Sequence, residues 1–165
     1  MKNKIESTII ITAENQERFI ERCIKSCLNQ SVKNIEIIII FTKLKNINTL
    51  KKRYLSKNIV FLNIPKKINK PTQDQLFKIK QGLLISKGKY IFLLDGDDAY
   101  KKNKVKEAIN SIRDKRALFL DNYENNKNNI KRVNKVHQFK KTNLYKTLIN
   151  AWPKGVCTSC IVLNR

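Results

Sequence analysis

With 165 residues, 41% of them hydrophobic and 29% charged, the chain is long enough for one domain with a full core and excludes a disordered protein. A formal charge of +22, from 28 Lys and 7 Arg against 13 acids, points to anionic partners: phosphate-bearing substrates, anionic lipid or nucleic acid. No apolar stretch reaches the length of a membrane span and the chain start lacks a signal-type core, so a cytoplasmic location is expected.

Strand and helix signals alternate along the first hundred residues. Residues 7–12, with Ile9-Ile10-Ile11, read as a strand. Asn15 is a candidate helix cap, and residues 16–29 carry apolar side chains at helical spacing. The isoleucine-rich run 35–41 suits a strand covered on both faces. A short helix at 48–55 and a strand at 60–62 follow, then a Lys- and Pro-containing loop through Pro71. Thr72-Gln-Asp-Gln75 has the form of a capping box. It opens a helix with Leu76, Ile79 and Leu83 on its buried stripe, closed by Lys87-Gly88. Residues 90–94 make a fourth strand, 103–115 a helix and 117–120 a further strand. The Asn-rich segment 122–129 is expected to be a mobile loop, 142–149 a helix and 156–163 a strand. This alternation predicts an α/β domain spanning 1–165, with a mostly parallel central sheet flanked by helices.

The segment Tyr90-Ile-Phe-Leu-Leu-Asp-Gly-Asp-Asp-Ala-Tyr100 ends an apolar run on three carboxylates, Asp95, Asp97 and Asp98. Like charges so close are costly unless a cation offsets them, and hard divalent metals such as Mg²⁺ and Mn²⁺ prefer oxygen ligands. The alternative is a solvated acidic turn capping the next helix. In mostly parallel sheets ligands bind beyond the carboxyl ends of the strands, where Thr12, Phe41 and Asp95 fall. The cysteines carry less. Cys23 and Cys27 share an apolar helix face with Phe19, Ile20, Ile24 and Leu28, and Cys157-x-x-Cys160 stands without a second pair.

Three stretches belong together. Ser7-Thr-Ile-Ile-Ile-Thr-Ala-Glu-Asn15 is followed by Phe19-Ile-Glu-Arg-Cys-Ile-Lys-Ser-Cys-Leu-Asn-Gln-Ser31. Lys33-Asn-Ile-Glu-Ile-Ile-Ile-Ile40 comes next, and Gly82-Leu-Leu-Ile-Ser-Lys-Gly-Lys-Tyr-Ile-Phe-Leu-Leu-Asp-Gly-Asp-Asp98 last. In this order they resemble the opening strand, turn and first helix, the second strand and the D-x-D segment of the family 2 glycosyltransferases, nucleotide-sugar enzymes of the GT-A fold. The resemblance implies a GT-A-like Rossmann-type sandwich whose nucleotide-sugar-binding half, residues 1–100, ends in the D-x-D motif, with 101–165 a partial acceptor side. It implies metal-dependent transfer of a sugar from a nucleotide-sugar donor to a glycan or lipid-linked acceptor hydroxyl, in polysaccharide biosynthesis, with Mn²⁺ or Mg²⁺ as cofactor. Asp97 would be the principal metal ligand, Asp95 would touch metal or ribose, and Asp98 would support them. Thr12, Ala13, Glu14, Asn15, Phe41, Asp95 and Gly96 would line the nucleotide-sugar site, although Thr12 and Asn15 equally suit a strand end and a helix cap, and Phe41, an aromatic ending a buried strand, suits the core better than a base-stacking role. The basic residues of 125–165 would draw the protein to the inner membrane face as a peripheral contact.

The chain departs from the family pattern in three places. Glu14 stands where an aromatic residue is usual. Phe41, Thr42 and Lys43 replace an acidic pair and glycine, and Ile79 and Lys80 replace Arg-Asn before Gly82. Inverting members use a carboxylate base well after D-x-D, but no acid follows Glu124, leaving Asp121, Glu124 and His137 as catalytic candidates. The chain therefore reads as ending before its base, as completed by another subunit, or as a degenerate binding module without turnover. Nucleic-acid binding is disfavoured, because no basic-aromatic signature appears and the acidic cluster would repel a phosphate backbone.

Overall fold

The computed structural model describes residues 5–66, 68–112 and 158–164, together with the backbone of short strands at 117–120, 123–124, 130–131 and 135–138. Strands β1 (Ser7–Glu14), β2 (Ile35–Thr42), β3 (Ile59–Asn63) and β4 (Tyr90–Asp95) pair in parallel in the order β3-β2-β1-β4. Side chains leave a strand on alternate faces. Ile9, Ile11, Ile37, Ile39 and Phe92 pack on one side with α1 (Ile20–Leu28), α2 (Ile47–Arg53) and α4 (Lys104–Ile112). Ile10, Ile38, Ile40, Ile91 and Leu93 pack on the other with α3 (Pro71–Ile85). Coverage on both faces is what selects continuous isoleucine runs over alternating ones.

The C-terminal strands change direction. β5 (Ala117–Leu120), β8 (Lys135–Gln138) and β9 (Ile161–Asn164) extend the sheet to the order β3-β2-β1-β4-β9-β5-β8, while β6 (Tyr123–Glu124) and β7 (Ile130–Lys131) form a separate ladder. β9 lies antiparallel to β4 and to β5, so β5 again runs with the parallel strands. An antiparallel β9 begins where β4 ends. The 3-10 turn Thr158–Cys160 that precedes it therefore sits beside Asp95.

Several sequence expectations shift locally. Asn15 does not cap α1. It adopts a left-handed conformation with φ 53°, and a turn over residues 16–19 delays the helix to Ile20. The capping box at Thr72–Gln75 does not form: Pro71, with its preset φ and missing N–H, starts α3 after Lys70, which makes no side-chain cap. The helix ends at Ile85 with an extended Ser86, not at Gly88. On α1, Ile20, Cys23, Ile24 and Cys27 are buried as expected, but Phe19 and Leu28 are exposed. The expected helix at 142–149 and most of the loop at 122–129 lie outside the described residues, where Tyr123–Glu124 is the described piece. Among the described residues no helix is long and apolar enough to cross a membrane.

Gly88 marks a close approach. A Cβ there would lie 2.5 Å from the backbone of Ser7 and Thr8, and its N–H donates to Thr8 Oγ1 at 2.9 Å. Gly88→Ala is expected to destabilise the fold by at least about 1–3 kcal/mol through forced backbone displacement, measurable by urea denaturation.

Candidate functional site

The register of the β1–β4 ladder places Thr12 directly opposite Asp95. Just beyond, the Gly96 N–H donates to the Thr12 carbonyl at 2.9 Å, and Asp98 N–H to the Asp95 carbonyl at 3.0 Å, curling the acidic segment into a tight turn. Gly96 is required by space: a Cβ would lie 2.5 Å from Gln16 Oε1 and 2.9 Å from Ala13 Cβ. The turn faces a cleft of about 320 Å³ between the ends of β1 and β4 and the start of α3.

The three carboxylates have different surroundings. Asp95 is half-buried, and its Oδ1 accepts from Gln75 Nε2 at 2.6 Å and Thr12 Oγ1 at 3.3 Å. Burial, then the charges of Asp98 and Asp97, push its carboxyl up to about 6, against the opposing pull of those hydrogen bonds. Asp98 Oδ2 accepts from Ser159 Oγ at 2.5 Å, and the same Ser159 oxygen accepts the Asp95 N–H at 3.1 Å. Asp97 is exposed and lines the cleft. Its carboxylate makes no hydrogen bond or ion pair among the described residues, while its carbonyl accepts from Arg22.

This donor set fits a hard divalent ion. Asp95 and Asp97 bring carboxylate oxygens to one cleft, and a half-buried carboxylate whose ionisation is opposed by its neighbours gains from a cation. Among the described residues no group of three or more acidic, His or Cys side chains forms a closed metal cage. Mg²⁺ and similar ions commonly use one or two carboxylates and complete their shell with water and phosphate oxygens.

The far wall of the cleft is also polar. Glu14 at the end of β1 meets Lys66 at 3.0 Å and Lys78 at 3.5 Å, and Lys78 meets Asp74 one turn earlier on α3 at 2.8 Å. The Lys66 hydrogen bond, helped by Lys78, holds the Glu14 carboxyl below its ordinary range, so it acts as an acceptor. Asp74 Oδ1 and Gln16 Oε1 are buried without a hydrogen-bond partner among the described residues. Phe41, a candidate for the nucleotide site whose place at the end of a buried strand favoured the core, belongs to the core, at 4% exposure. The side-chain period of two turns it to the face covered by α1, and the cleft wall is formed by Ala13 and Glu14. Asn15 is exposed at the turn and is not a cleft-lining residue.

The pattern of the family described as Glycosyl transferase family 2 matches residues 8–43 and 67–165. The chain belongs to that family. No curated protein matches the chain. Among solved structures, S. aureus TarS 1–349 is similar with TM-score 0.64 and 17% identity, over 96% of this chain and 47% of that one. TarS 1–349 in complex with UDP-GlcNAc is similar with TM-score 0.62 and 17% identity, over 77% and 37%. The mannosyltransferase PcManGT from Pyrobaculum calidifontis, in complex with GDP-Man and Mn²⁺, gives TM-score 0.59 and 11% identity, over 75% and 37%. At these identities the likeness shows the fold, and the chain spans less than half the length of each.

Within this glycosyltransferase fold, Thr12, Ala13, Glu14, Asp95 and Asp97 meet at one cleft, with Gly96 forming the turn beneath it. Asp121 lies outside the described residues. Glu124 is placed only as backbone of β6, opposite Ile130, and His137 only as backbone of β8, opposite Leu118. β8 is the third strand from β4, about 14 Å away at ordinary strand spacing. Cys160 is buried, and Cys157 lies outside the described residues. Sequence reasoning missed Gln75, Lys78, Thr158 and Ser159. Gln75 and Lys78 were hidden in a helix read for its apolar stripe, and Thr158 and Ser159 reach the site only through the antiparallel pairing of β9.

Lys78 and Asp74 have side chains only 4% and 3% exposed. Lys78→Met would leave Asp74 buried without its counter-charge and is expected to cost about 3–5 kcal/mol, read by chemical denaturation. Adding Asp74→Leu to that variant should recover most of the loss.

Proposed function

We propose that the cleft binds a nucleotide-sugar donor through a divalent ion held by Asp97 and Asp95, for transfer of the sugar to a hydroxyl of a glycan or lipid-linked acceptor. The observation that carries this reading is the exposed Asp97 carboxylate, unpartnered among the described residues, beside half-buried Asp95 at the end of β4. Family membership and the donor-bound state of two similar structures, one with UDP-GlcNAc and one with GDP-Man and Mn²⁺, support it. When bound, Mn²⁺ or Mg²⁺ would supply Lewis-acid stabilisation of the diphosphate charge that grows as the sugar departs.

The chain's own residues do the remaining work. Gln75 and Thr12 orient the Asp95 carboxylate by donating to Oδ1, leaving its remaining acceptor capacity toward the cleft. Glu14 and Lys78 meet the nucleoside end by hydrogen bonding, in a position where the family resemblance leads one to expect an aromatic stacking surface. The site lies at the sheet end where α/β folds bind ligands. The basic composition of 125–165 supports a cytoplasmic protein resting on anionic lipid, where a phosphate-bearing lipid acceptor would be found. Such binding to anionic vesicles should weaken with added salt.

Calorimetric titration of UDP- and GDP-sugars tests the donor site, with and without Mn²⁺. Wild-type chain is expected to bind one of them in a metal-dependent way, and Asp97→Ala to lose at least tenfold in affinity. Equal binding by the variant would remove the site. Metal-dependent binding with no release of free sugar would make the chain a donor-binding module.

A further inference from the structure

Ser159 occupies an unusual position. It is 64 residues from Asp95 and 61 from Asp98, yet its single hydroxyl touches both, accepting the Asp95 N–H at 3.1 Å and donating to Asp98 Oδ2 at 2.5 Å. Asp97, the exposed carboxylate, lies between these two tied residues. The turn is pinned a third time by the Asp98 N–H donating to the Asp95 carbonyl at 3.0 Å. Next to Ser159, Thr158 Oγ1 lies 3.2 Å from Gln75 Nε2, the same nitrogen that donates to Asp95 Oδ1. The 3-10 turn before β9 thus reaches the acidic segment through its backbone, through Asp98 and through Gln75.

We propose that Ser159 is a positioning residue that divides the three carboxylates, holding Asp98 as an anchor outside the metal shell so that Asp95 and Asp97 alone present ligands to the cleft. This rests on the metal-dependent donor reading above. The physical basis is mutual repulsion: a hydroxyl proton directed at Asp98 Oδ2 disperses that charge and draws the carboxylate toward β9. The cleft lining agrees, since it includes Asp95 and Asp97 and omits Asp98. Because the same oxygen accepts the Asp95 N–H, losing it releases the backbone carrying the metal-facing pair along with the side chain of Asp98.

The test is Mn²⁺ affinity, read from the electron paramagnetic resonance signal of free Mn²⁺ with and without UDP or GDP, with thermal unfolding of each variant alongside. Ser159→Ala is expected to weaken Mn²⁺ binding about tenfold, the usual size for a partner that orients a ligand, and Ser159→Thr, which keeps the hydroxyl, to restore it. Asp98→Asn keeps an acceptor for Ser159 and is expected to lose no more than about threefold, whereas Asp97→Asn should lose far more. A loss in Asp98→Asn equal to that in Asp97→Asn would make Asp98 a ligand and overturn the assignment. Unchanged affinity in Ser159→Ala would overturn the positioning role while leaving the donor reading intact. Failure of the wild-type chain to bind Mn²⁺ with either nucleotide would overturn both.

Discussion

The structure depends on how β4 is paired. Its parallel edge against β1 sets Thr12 opposite Asp95, and its antiparallel edge against β9 brings the Thr158–Cys160 turn to the same end. Hydroxyl and amide groups therefore reach the acidic segment from both sides of the strand. Without those donors, the half-buried Asp95 and Asp98 carboxylates would repel each other with reduced solvent screening beside the exposed Asp97. With them, one is oriented by Gln75 and Thr12, one is tied to Ser159, and one stays open to the cleft.

Charge is managed differently at the two ends of that cleft. On the α3 side, Lys78 lies between Asp74 and Glu14, with Lys66 closing the outer flank, so acids and bases are matched within the fold. On the β4 side no lysine or arginine side chain pairs with the Asp95 or Asp97 carboxylate among the described residues, and Arg22 meets only the Asp97 carbonyl. A chain of charge +22 has ample lysine to place there. The divalent ion proposed for the cleft would balance that end, which ties the electrostatics to the proposed chemistry.

Much of the fold was legible in the chain. Apolar runs of strand length, isoleucine-rich in β1 and β2 and mixed in β4, are explained by parallel strands covered on both faces, and those strands fall where the runs lie. The acidic end of β4 was legible because charge after an apolar run conflicts with burial unless it serves a site. Local helix starts were less so: Asn15 has capping chemistry but takes a left-handed turn, and Thr72 opens a capping-box pattern that Pro71 pre-empts. Phe41 could have stacked on a base or joined the core from its strand end, and the period of two turns it into the core beneath α1, the role an aromatic ending a buried strand favours.

By itself, the sequence determined the alternation of elements, the buried faces and the location of the carboxylates, because each follows from local composition and short-range periodicity. It could not determine the partners of those carboxylates. Whether β9 runs parallel or antiparallel to β4 depends on long-range pairing, and that direction alone decides whether residues 158–160 meet Asp95 or lie at the opposite end of the sheet. In the same way, the spacing of Asp74 and Lys78 marks an ordinary helical ion pair, and only the packing of α3 against the end of β1 brings it against Glu14 as a wall of the cleft.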